Sequence, residues 1–192
     1  MKKNKTLIAI GAIVAVILLM GGCTYNSLVG SDEGAKQALG AVQSAYQRRA
    51  DLIPNLVETV KGYAAHERET YEGVVEARSK ATSINLDVDN IEEYQKAQGE
   101  LTSALGRLIA IGEAYPELKS NENYQTLMTE VSTTENLLMT HKKAYNTAVK
   151  QYNNYCRRFP TRFNLAITGY EKVDYQYYST ENTDKPMNLF GE

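Results

Sequence analysis

Chemistry in this 192-residue sequence would have to start from two histidines, two cysteines and a row of helix-spaced glutamates. His66 precedes Glu67, yet position 70 is threonine where the zinc-protease spacing His-Glu-x-x-His needs a second histidine, and His141 stands apart. A di-iron bundle requires inward Glu-x-x-His pairs, and the chain has none. Glu69, Glu72 and Glu76 share one helix face, where carboxylates without histidine or basic partners read as a solvated surface. Cys156 has basic neighbours, Arg157 and Arg158, but no histidine close by in sequence, so a buried thiol is expected rather than a nucleophile. Glycine-rich phosphate loops are absent. These residues predict no catalytic site, no metal site and no cofactor, and hence a protein that is not an enzyme.

The elements that would position these side chains are all helical. After Gly30, Ser31-Asp32-Glu33 reads as a capped helix start. Apolar or small residues then recur at Leu39, Val42, Tyr46, Ile53, Leu56, Val60, Tyr63, Tyr71, Val74 and Ala81. A first helix over 31–82 would span about 75 Å at 1.5 Å per residue, too long for a compact bundle unless it bends. Pro54 supplies the bend, because proline removes one helical hydrogen bond and clashes with the carbonyl four residues earlier. Gly62, unfavourable by about 1 kcal/mol inside a helix, would admit a close neighbour. A second helix, capped by Asp89 or Asn90, carries Ile91, Tyr94, Leu101, Leu105, Leu108 and Ile111 and ends before Pro116. A third starts at Ser120 or Asn121, carries Tyr124, Leu127, Val131, Leu138, Tyr145, Val149 and Tyr152, and stops at Pro160. "FNLAITGY" gives a short fourth piece. The expected fold is an elongated antiparallel up-and-down bundle of three long helices, the first bent at Pro54, with a short C-terminal helix. It becomes a four-helix bundle if the chain reverses at Pro54.

Composition and the N-terminus set the address. Lys2, Lys3 and Lys5 precede Leu7–Gly22, 16 residues without a charged or strongly polar side chain. By the positive-inside rule the lysines stay cytoplasmic, and everything from about residue 25 faces outward. Two anchors fit. One is an uncleaved inner-membrane helix, which typically needs roughly 20 residues and can borrow Thr6, Cys23 and Thr24. The other is lipidation of Cys23 after "MGGC" processing. The span is preferred, since Met20 stands where leucine is usual in a lipoprotein signal. Beyond the three lysines, 18 basic residues face 23 acidic ones, a balance that does not attract nucleic acid. Fourteen tyrosines without a tryptophan suggest rings that pack on one side and hydrogen-bond on the other.

In order along the chain, "YNSLV", "YQRRADLIPNLVETVKGYAAHE", "EAYPELKSNENY", "TEN", "YNTAVKQYN" and "RRFP" resemble the LemA family of bacterial membrane proteins over roughly residues 25–170. The resemblance implies an N-terminal membrane helix (1–24), an extracytoplasmic helical bundle (25–170) with coiled-coil-like packing in the bacterial envelope or periplasm, and no established enzymatic activity. The polar, Tyr-rich tail (171–192) follows the family only loosely. At the family's polar positions, Arg49, Glu67, Glu135, Asn136, Asn146 and Asn153 lie at or beside the apolar seam, where unpaired polar groups are expensive to bury. They are expected to pair and fix helix register, with Glu135 or Glu67 opposite Arg49.

Two functions follow as expectations. The first is a membrane-tethered, non-enzymatic scaffold that associates with itself or with an envelope protein. The alternative is an envelope ligand-binding or hydrolytic protein that uses the seam around Arg49 and Glu135. A filled core favours the first, and a pocket reaching those residues favours the second. The anchor predicts that protease added to spheroplasts digests the exported domain while its remnant stays with the membrane. Mass spectrometry should find Met1 or Lys2 retained, whereas lipid on Cys23 would identify the other anchor. A domain protected in intact spheroplasts, or soluble on fractionation, would contradict both.

Overall fold

Pro54 neither ends the first helix nor turns it back. In the computed structural model, which describes residues 2–179, helix α1 runs Lys2–Lys61 and continues past the proline. The carbonyl that Pro54 leaves without a helical donor is that of Ala50. Arg78 fills the gap, its Nε donating to the Ala50 oxygen at 2.7 Å. The expected capped start at Ser31 is not found: Ser31 lies inside α1 and its hydroxyl donates to the Ser27 carbonyl within the helix.

The break falls later. α1 stops at Lys61, a basic residue suited to a helix C-terminus. A turn over 62–67 follows, in which the Tyr63 and Ala64 amides both donate to the Val60 carbonyl. Helix α2, Arg68–Ser83, is therefore a separate element, which corrects the single bent helix expected over 31–82. Gly62 sits just beyond a helix end rather than inside one, and Tyr63 is exposed rather than in the seam.

Helix α3 spans Ile91–Ala114, α4 is the single turn Pro116–Lys119, α5 spans Glu122–Arg157 and α6 spans Thr161–Thr168. Two of their boundaries have a clear local cause, the first of them expected from the sequence. Asn121 caps α5, its side-chain oxygen accepting the Tyr124 amide at 3.0 Å. Gly169, with φ of 65°, ends α6 in the left-handed conformation that glycine adopts freely.

The chain forms two compact units. One comprises Met1–Gln37 and Thr147–Asp174. In it Leu28 and Ala35 of α1 are buried, as are Tyr152 and Cys156 of α5. The Tyr152 hydroxyl accepts the Val173 amide at 3.1 Å, and Tyr25 meets Tyr170 edge-on at 6.2 Å. Among the described residues no helix is long and apolar enough to cross a membrane. The stretch Leu7–Gly22 expected to do so falls for the most part on side chains outside the described residues.

The other unit, Ala38–Asn146 and Tyr175–Glu192, contains the larger core. α2 returns along α1, with Tyr71 donating to the Ala64 carbonyl of the turn and Arg78 to the Ala50 carbonyl of α1. α3 turns back along α2, where Lys80 pairs with Glu100 at 2.6 Å. α5 descends again, joined to the turn after α1 by Asn121 and Tyr63 and to α1 itself by Glu135 and Arg49. The unit is an antiparallel four-helix bundle whose first reversal lies at 62–67, not at Pro54. Gly112 lets α5 approach α3, since a β-carbon there would collide with the buried Tyr124 ring.

The proline and the arginine that serves it should be coupled. Arg78→Met strands the carbonyl of buried Ala50 and is expected to lower stability by about 1–3 kcal/mol. Pro54→Ala restores a backbone N–H aimed at that carbonyl, so in this background the Arg78→Met loss should shrink to a fraction. Urea denaturation of the four proteins measures the difference. An equal loss in both backgrounds would contradict the coupling.

Candidate functional site

A guanidinium is the least expected group in the middle of a helical core, yet Arg49 of α1 is only 2% exposed. Its hydrogen bonds explain how it is tolerated. Nη1 donates to Glu135 Oε1 on α5 at 2.7 Å and to Thr102 Oγ1 on α3 at 3.0 Å. Nη2 donates to the side-chain oxygen of Gln98 and, at 3.4 Å, to its backbone carbonyl. Thr102 in turn donates to the Gln98 carbonyl at 2.9 Å, so the acceptors are themselves held in place. The ring of Tyr46, three residues before Arg49, lies 5.2 Å from the guanidinium carbon and adds a cation–π contact.

Above this junction opens a half-open cleft of about 550 Å³. Arg49, Gln98, Thr102, Glu135 and Tyr46 line it, together with Gln95, Lys96, Ser103 and Lys142. Lys142 is two helical turns beyond Glu135 on α5, and its ammonium lies 5.3 Å from the Tyr46 ring centre and 5.7 Å from that of Tyr178. Burial, followed by repulsion from Arg49, lowers this amine to about 8, and the charge of Glu135 only partly opposes the shift. Burial also holds the Tyr46 and Tyr178 hydroxyls above the ordinary tyrosine range.

The chain after α6 builds the far wall. Asn146 clamps the backbone of Tyr178 from both sides, its amide donating to the Tyr178 carbonyl at 3.0 Å and its oxygen accepting the Tyr178 amide at 2.9 Å. Tyr145 donates to the Gln176 carbonyl at 3.0 Å, and its ring meets that of Tyr178 edge-on at 5.5 Å. This strap carries Tyr178 over Lys142 and brings Ser179 to the rim.

Of the polar residues expected to pair, the structure thus joins Arg49 to Glu135. Glu67 is in the turn before α2, Asn136 is exposed, Asn146 serves the strap, and Asn153 belongs to the other unit. Cys156 is buried, and burial pushes its thiol up, while Cys23 is exposed. Sequence reasoning missed Gln98, Thr102, Lys142 and Tyr178. Spacing alone marked three of them: Gln98 and Thr102 are one turn apart on α3, and Lys142 follows Glu135 by two turns on α5.

Comparison with known proteins agrees with the resemblance seen in the sequence. A model of the LemA family matches residues 38–189, and so extends into the tail beyond the 25–170 block that carries the motifs. The chain is 24% identical over 192 residues to Magnetosome protein MamQ 1 of Paramagnetospirillum magneticum, covering 88% of this chain and 69% of that protein. It is 26% identical to Magnetosome protein MamQ of Magnetospirillum gryphiswaldense, covering 94% and 74%. Protein LemA of Metamycoplasma hominis is 27% identical over 78% of this chain and 72% of its own length.

Lys142 should give the fold a distinctive pH dependence. Between about pH 8 and the ordinary lysine value of 10.5, the unfolded chain keeps a proton on this amine that the folded chain has released. Stability contributed by this group therefore rises with pH across that window, and the penalty is fully present below pH 8. Lys142→Met removes the group, so its stability advantage over the parent should be largest below pH 8 and close towards pH 10.5. Tyr46, Tyr178 and Cys156 are common to both proteins and cancel in the difference. Denaturation curves at several pH values measure it, and a pH-independent difference would contradict the assignment.

Proposed function

The chain belongs to the LemA family, and on that premise we propose that it is a membrane-tethered, extracytoplasmic recognition module without catalytic activity of its own. The tether is supported by the lysine-flanked apolar stretch Leu7–Gly22, and the outward placement by the side on which those lysines lie. The observation that carries recognition is the cleft of about 550 Å³ over the Arg49 junction, within the range of sites that take small ligands or a few residues of a partner. Arg49 and Glu135 form its floor, and because they bind each other they fix the walls rather than transfer protons. Thr102 likewise donates its hydroxyl to the Gln98 carbonyl rather than to a base. These engagements favour binding over the hydrolytic reading. The seam therefore has both roles weighed from the sequence: it sets register, and its open side offers a place to bind.

Photo-crosslinking of the anchored full-length protein in cells tests this. A photoreactive residue at exposed Gly99, on the cleft and with open space where its side chain would begin, should yield a discrete adduct by intact mass. The same residue at exposed Glu69 on α2, outside the cleft, should not. Identical adducts at both positions, or none at either, would contradict recognition at this cleft.

A further inference from the structure

The cleft holds a cation whose countercharge the bundle does not supply. Glu135, a carboxylate of the same cleft, is bound by Arg49 at 2.7 Å. Among the described residues the Lys142 ammonium has no hydrogen bond or ion pair, only the faces of Tyr46 and Tyr178. A partly desolvated ammonium beside a guanidinium is unfavourable by itself, and an incoming anion relieves that cost.

We propose that this cleft is a carboxylate-binding site, with Lys142 as the charged contact and the Ser103 and Gln95 side chains as neutral donors. The reading rests on the recognition role given above and names its chemistry. Ser103 and Gln95 line the cleft, and their side chains make no hydrogen bonds among the described residues. A monoanion fits better than a phosphate. Of the charged side chains that line the cleft, Arg49, Lys96 and Lys142 face Glu92 and Glu135, a surplus of one positive charge that a monoanion balances and a dianion exceeds. Tyr46 and Leu138 add apolar wall, so the carboxylate should carry an apolar group beside it. The volume admits either the last two or three residues of a peptide or a free aromatic acid.

The test is calorimetric titration of the full chain in detergent micelles with four probes: acetyl-Ala-Ala-Phe with a free C-terminus, the same peptide as its C-terminal amide, benzoate, and inorganic phosphate. The free-acid peptide is expected to bind saturably and at least tenfold more tightly than the amide. Comparable binding of benzoate would identify a small acid as the source of the carboxylate, and binding of the peptide alone would identify a chain terminus. Lys142→Met should abolish binding and Lys142→Arg should retain it, with thermal melts showing that both variants fold. Binding should also raise the pH at which the Lys142 amine titrates, followed by NMR of the reductively methylated lysines. Equal binding of acid and amide, tighter binding of inorganic phosphate, or no binding of any carboxylate would overturn the proposal. In the last case a Gly99 adduct in cells would leave recognition standing and remove only the carboxylate, whereas loss of both would remove the recognition reading too.

Discussion

Everything in the larger unit is arranged around one buried positive charge. Withdrawing a guanidinium from water costs several kcal/mol unless its hydrogen bonds are replaced and its charge is met. The protein meets the charge of Arg49 and gives both of its terminal nitrogens acceptors from two other helices, Gln98 and Thr102 of α3 and Glu135 of α5, leaving Nε without a partner among the described residues. Sliding either helix by one residue would rotate these groups away and leave a bare charge in the core. The junction therefore acts less as a source of net stability than as a condition that only one register satisfies.

The neighbouring residue completes the arrangement. Ala50 presents the carbonyl that Pro54 has deprived of its helical donor, and Arg78 of α2 binds it. Two successive residues of α1 thus tie it to each of the other three long helices of the bundle, one through a side chain and one through a freed backbone group. This gives Pro54 a physical purpose. Its position opens a polar docking point one residue from the Arg49 junction, and the helix continues beyond it.

Much of this was legible in the sequence because apolar periodicity is a strong signal over long helices. The seams of α3 and α5, the cap at Asn121, the stop before Pro160 and the pairing of Arg49 with a carboxylate are all visible in residue spacing. The turn at 62–67 was not, since Tyr63, Ala64 and Ala65 are compatible with a helix and Gly62 was read as an interior glycine that admits a neighbour. Ser31 misled for the opposite reason. A good capping residue does not start a helix when the chain before it is already helical, and its hydroxyl then bonds back one turn instead. The strap was hidden by composition. A polar, Tyr-rich segment looks like a tail, but Tyr175 and Tyr178 are buried and the partner of Tyr178, Asn146, lies 32 residues earlier in the chain.

The central claim is that Arg49 and Glu135 form a mutually dependent pair that specifies register. It is tested most directly by chemical denaturation of Arg49→Met, Glu135→Met and the double variant. Glu135 is 18% exposed and can recover some hydration through the cleft, while Arg49 is 2% exposed and cannot. Glu135→Met should therefore be the more damaging single change, at about 3–5 kcal/mol, and adding Arg49→Met to it should restore part of the loss. Costs that simply add in the double variant would contradict the account.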